Sequence, residues 1–150
     1  MNWTQIIIIF ITTLTSFFAG ISLNVFSANH NLKVEAWKLR LETVYLPLFL
    51  HLDELHYKYG AHDFTDLTDD EQDFIIDTLK LNINLVSSEV MTCYFELRSS
   101  IRNQEEFGDI ATTNKLYFEL GNRLFTDFDK LQKQLKLPTP KVDPKFMTEY

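Results

Sequence analysis

The chain has 150 residues, a formal net charge of −7 and 45 % hydrophobic residues, with four glycines, four prolines and one cysteine. That length holds one ordinary domain, or a smaller one beside a membrane segment, and the glycine, proline and cysteine usage excludes collagen-like, low-complexity and disulfide-stapled classes. A pI near 5.0 lacks the basic excess with which nucleic-acid binders displace phosphate counterions.

No Asp, Glu, Lys or Arg precedes Lys33. Within that uncharged stretch Ile6 to Phe26 reads IIIIFITTLTSFFAGISLNVF; as a helix its residues span about 31 Å, close to the hydrocarbon thickness of a bilayer. The hydroxyls of Thr12, Thr13, Thr15, Ser16 and Ser22 can bond back to carbonyls one turn earlier, and Asn24 lies near one end of the run. A cleaved signal peptide fits poorly. MNWTQ carries no basic residue, and cleavage after Gly20 or Ala28 would set Phe18 or Phe26 where a small residue is wanted. Residues 1–28 are therefore expected to be a transmembrane anchor. Lys33, Lys38 and Arg40 follow it, so the positive-inside rule predicts an inner-membrane, single-pass protein with its N-terminus outside and its C-terminus in the cytoplasm. The single Cys93, without a partner, agrees with a reducing compartment.

Beyond the anchor, apolar residues recur at helical spacing, which predicts an all-α cytoplasmic part: an antiparallel three-helix bundle over residues 29–137. The first stripe is Val34, Leu41, Tyr45, Leu48, Leu52, Leu55 and Tyr59, ending at Gly60. Pro47 interrupts it; the missing N–H and the clash with the Thr43 carbonyl predict a kink rather than a stop. After the polar stretch 61–67, Thr68 and Glu71 form a Thr-x-x-Glu capping box that should open a second helix. Its stripe is Ile76, Leu79, Ile83, Val86, Val90, Cys93, Leu97 and Ile101, so one helix is predicted to run to Phe107 with Gly108 just past its end. That would be roughly 58 Å of helix. A third helix, starting between Asp109 and Asn114, carries Tyr117, Leu120, Leu124, Phe128, Leu131 and Leu135. Lys130, Lys133 and Lys136 suit its negative end, and Pro138 and Pro140 end it. Residues 138–150 read as a flexible C-terminal tail.

Candidate chemistry is sparse. His51 and His56 are five residues apart, which turns them roughly 140° from one another on a helix and spoils a shared metal site. The acids Asp63, Asp66, Asp69, Asp70, Glu71 and Asp73 lack the alternation and glycine of a calcium loop and read as the dressing of a helix N-terminus or as a docking patch. The four glycines are too dispersed for a phosphate loop. Ser87 and Ser88 have no nearby histidine, Glu105 and Glu106 sit at a helix end in water, and Cys93 falls on the apolar stripe. No catalytic, metal or cofactor residue is expected. Asn82 and Glu89, a heptad apart beside the second stripe, could set register in a helical interface. Tyr117, Phe118 and Phe125 cannot all face one seam, because adjacent residues on a helix point about 100° apart. These five residues form the expected interaction surface.

The anchor followed by Arg40, Tyr45, Pro47, Leu48 and Phe49, an Arg-x-x-x-x-Tyr-x-Pro-Leu-aromatic pattern, resembles small uncharacterised bacterial single-pass membrane proteins carried by prophages and other mobile elements. The resemblance covers about the first third of the chain and implies no activity. The expected function is a membrane-anchored helical module, not an enzyme. It would hold a protein partner or its own copies at the cytoplasmic face of the bilayer, with no cofactor and no nucleic acid. The alternatives are a small membrane-active effector and a membrane-tethered hydrolase.

Overall fold

The computed structural model describes the backbone of residues 3–60 and 62–138, and side chains there except for residues 3–14, 17 and 105–107. Every regular element among the described residues is helical. Two units are distinguished, Met1–Ala36 and Trp37–Tyr150.

The first unit is formed by α1 (Trp3–Arg40), which ends in the second. Its described apolar side chains Phe18, Leu23, Phe26 and Leu32 are all exposed. Among the described residues no helix is long and apolar enough to cross a membrane; residues 6–14 and 17 of the expected span lie outside the described side chains.

The second unit opens with a π turn, Leu41–Tyr45, in which the Leu46 N–H reaches back five residues to the Leu41 carbonyl. It continues into α2 (Leu46–Tyr59) with Pro47 in the first turn. Pro47 explains the widening: it has no N–H to give, and its ring would crowd the Thr43 carbonyl in a regular α-helix. Tyr45 and Leu46 stay in the right-handed helical region, so the chain never leaves the helix. Gly60, at φ 73° and ψ −144°, ends α2 in a conformation that side chains resist. A 3₁₀ turn, Phe64–Asp66, follows.

The capping box then opens α3 (Asp69–Leu81), with the Thr68 N–H donating to Glu71 at 2.8 Å. The single long second helix predicted from the stripe does not form. α3 ends at Asn82, a 3₁₀ turn covers Ile83–Leu85, and Ser87 caps a separate α4 (Ser88–Phe107) by accepting from the Val90 N–H. Gly108, at φ 74° and ψ 18°, closes α4, and Asp109 caps α5 (Ile110–Gln134) through the Thr112 N–H. The expected tail lies outside the described residues from residue 139 on.

Cross-contacts give the directions. Lys58 meets Glu71 and His51 meets Phe74, so α2 and α3 are antiparallel. His62 meets Tyr117, Phe49 meets Phe125 and Phe128, and Tyr45 meets Asp127, so α2 and α5 are antiparallel too. The Ser100 and Thr113 hydroxyls join the end of α4 to the start of α5 at 2.8 Å. α2, α3, α4 and α5 therefore run down-up-down-up around one core, an arrangement of four helices where three were expected. Leu41, Tyr45, Leu48, Leu52 and Leu55 bury against Leu79, Val90, Leu97 and the α5 stripe Tyr117, Leu120, Leu124, Phe128 and Leu131.

Candidate functional site

Polar side chains gather at the two ends of the four-helix core. At one end, where α2 closes and α3 opens, Glu71 accepts from Lys58 at 2.8 Å, from the Tyr59 hydroxyl at 3.2 Å and from the Thr68 N–H. The Lys58 ammonium, first, and the Thr68 N–H hold the Glu71 carboxyl down at about 2, and the same contact raises Lys58 above its ordinary value. Beneath them lies buried His62. Its Nδ1 is 2.9 Å from the Gly60 carbonyl, which can only accept, so that nitrogen carries the proton. Nε2 then accepts from the Tyr117 hydroxyl at 3.0 Å. Burial, with a smaller effect of the Glu71 charge, pushes the Tyr117 phenol well up, so it stays a donor. Asp63 and Asp66 form a second capping box, and Gln72 Nε2 donates to the Phe64 and Leu67 carbonyls. Each of these groups is satisfied by a neighbour, which makes this end a structural clasp.

At the other end Tyr45, 1 % exposed, donates its hydroxyl to Asp127 at 3.2 Å and accepts from the Ser87 N–H at 3.2 Å. Burial and then the Asp127 charge raise its phenol. Arg40 Nε donates to the Leu85 carbonyl at 2.6 Å. The pair clamps the 82–87 turn onto the π turn.

The predicted interaction residues do not form one surface. Tyr117 is buried in the core, a correction that follows from its bond to His62. Phe125 is half-buried with its ring edge-on to Phe49, and Phe118 is half-buried beside Tyr117. Asn82 ends α3, donating to the Thr78 carbonyl, while exposed Glu89 stands in the first turn of α4 and accepts from the Ser88 hydroxyl. The helix breaks between them, so their heptad spacing places them on no common face. The exposed apolar residues of the second unit include instead Leu39, Leu46, Leu50, Phe74, Leu81, Phe95, Ile110 and Leu137. Sequence periodicity missed them because they lie off the buried stripes.

Cys93 is buried, and burial raises its thiol, so it packs as a small apolar side chain. Among the described residues no group of three or more His, Cys, Asp or Glu side chains is arranged to hold a metal ion. The His51 ring packs against that of Phe74, tilted by 44° with the centroids 4.3 Å apart. Glu105 and Glu106 lie outside the described side chains. No protein-family model, no curated protein and no solved structure matches the chain.

Proposed function

We propose that the chain is a membrane-anchored helical module whose residues 37–138 hold a protein partner, or further copies of the chain, at the cytoplasmic face of the bilayer. The observation that carries this reading is the uncharged run Ile6 to Phe26 followed by Lys33, Lys38 and Arg40. The exposure of Phe18, Leu23 and Phe26 on α1 supports it, since side chains of this kind left open to water need a cover. The exposed Leu46 and Leu50 of α2 add an apolar surface suited to a protein contact.

The test is fractionation and topology of the full chain expressed in a bacterium. The chain should stay in the membrane pellet through alkaline carbonate, and a reporter after Tyr150 should be active only in the cytoplasm. Substoichiometric or specific proteins should co-purify in mild detergent. Release by carbonate would overturn the anchor, periplasmic reporter activity would overturn the orientation, and a chain that purifies alone as a monomer would overturn the partner.

A further inference from the structure

The fold brings three Lys-Leu pairs, Lys38-Leu39, Lys80-Leu81 and Lys136-Leu137, to one end of the four-helix core. They are far apart in sequence and lie toward the same end only because the helices alternate in direction. Lys38 and Leu39 stand just before the π turn. Lys80 and Leu81 close α3, at the turn that Arg40 and Tyr45 clamp. α5 runs antiparallel to α2, so the step from Tyr117 at His62 to Asp127 at Tyr45 carries Lys136 and Leu137 on toward the Trp37–Leu41 level. All three leucines are exposed, at 53 %, 78 % and 43 %. All three lysines are exposed as well.

Charge separates this end from the opposite one. The opposite end carries Asp63, Asp66, Asp69, Asp70, Glu71 and Asp73, with Lys58 bound to Glu71. At the Lys-Leu end Asp127 and Asp129 are paired with Lys130 and Lys133 on their own helix, and Asp77 lies 3.6 Å from Lys80 in an exposed pair that water screens, leaving Glu42 and Glu89 against Lys38, Arg40 and Lys136. An exposed leucine beside a lysine is chemistry for an anionic lipid surface: the apolar chain enters the headgroup boundary while the ammonium stays with phosphate. A protein groove would ask for a contiguous apolar face instead. This end is also where the second unit begins, ten residues of α1 after the run Ile6 to Phe26 proposed to enter the bilayer.

We propose that the Lys38-Leu39, Lys80-Leu81 and Lys136-Leu137 end is a lipid-facing tip that rests on anionic headgroups, with the acidic end directed away. The inference rests on the anchor reading of the chain. It is tested with the full chain in nanodiscs of phosphatidylcholine, and of phosphatidylcholine with an equal part of phosphatidylglycerol, by trace acetylation of lysines read by mass spectrometry. Labelling of Lys38, Lys80 and Lys136 should fall several-fold in the anionic discs and recover in high salt, while Lys58 and Lys115 stay unchanged. A variant with Leu39→Ser, Leu81→Ser and Leu137→Ser, all at exposed positions, should lose most of that protection. Equal labelling in the two discs, or protection of Lys58 in place of the tip, overturns the proposal; so does protection that ignores lipid charge, the mark of a protein contact. A chain that does not enter the discs overturns the anchor reading separately. The same labelling beside free anionic vesicles then judges the tip by the same outcomes.

Discussion

The two reversals that frame α3 reach the same result by opposite means. The connection from Gly60 to Thr68 is built from its own residues: a glycine in a conformation other residues resist, then two capping boxes, Asp63 with Asp66 and Thr68 with Glu71. The connection from Asn82 to Ser87 has no glycine and keeps apolar residues at helical spacing through Ile83 and Val86. Ser87 starts α4, but the turn before it is held from outside, by Arg40 on the Leu85 carbonyl and Tyr45 on the Ser87 N–H. A turn of the first kind is written locally. The second exists because another part of the chain supplies partners for backbone groups that a continuous helix would have paired internally.

The sharpest way to break this contrast is Tyr45→Phe, which keeps the buried ring and removes the hydroxyl. It should cost about 2–3 kcal/mol, since the Ser87 N–H and the Asp127 carboxylate both lose a partner. Hydrogen exchange should speed up at residues 83–88 and stay unchanged at 62–68; equal effects at both turns would erase the distinction. Gly60→Ala addresses the local turn. Nothing lies within 4 Å of the added methyl, so the whole cost is backbone strain, about 2 kcal/mol by denaturation of the full chain in mild detergent. Gly108→Ala, in the ordinary left-handed region, should cost about 1 kcal/mol by the same measurement. Thr68→Ala removes half of a capping box and should cost about 1 kcal/mol, with faster exchange confined to the first turn of α3.

The smallest expected effect is that of pH. The Glu71 carboxyl is held at about 2, below its ordinary value of 4.5, so it favours the folded state above pH 4.5 and loses that contribution as pH falls toward 2. Lys58 is exposed, so water screens much of the pair. Glu71→Gln should flatten the stability profile between pH 5 and pH 2 while leaving exchange at residues 83–88 untouched. A profile with the same slope as the unaltered chain would assign the acid response elsewhere.

The residues expected to form an interaction surface show how far helical spacing reaches. It identified the buried faces of α2 and α5, because a side chain's angle on its helix follows directly from its number. It also set Tyr117 on the buried α5 stripe, where it lies with its hydroxyl held by His62; the count of aromatics that assigned it to a surface failed, and so did the spacing of Asn82 with Glu89, which assumed an unbroken helix. The aromatic excess of α5 is partly absorbed by Phe49, a contact between residues 76 positions apart that no local pattern announces.

By itself, the sequence determined the helical class, the start of α3 at Thr68, the end of α4 at Gly108 and, to within the stretch Asp109 to Asn114, the start of α5. These depend on side chains reaching backbone groups within one turn, or on a glycine's freedom, and both are set by neighbours in the chain. Only the tertiary structure decided the division of the predicted second helix into α3 and α4, the π turn ahead of Pro47, and the placing of three Lys-Leu pairs toward one end. In the first of these the apolar spacing continues through the break at Ile83 and Val86, so it reads the same for one long helix as for two folded ones. What tips it is the satisfaction of the Leu85 carbonyl and the Ser87 N–H by Arg40 and Tyr45, side chains more than forty residues away in sequence.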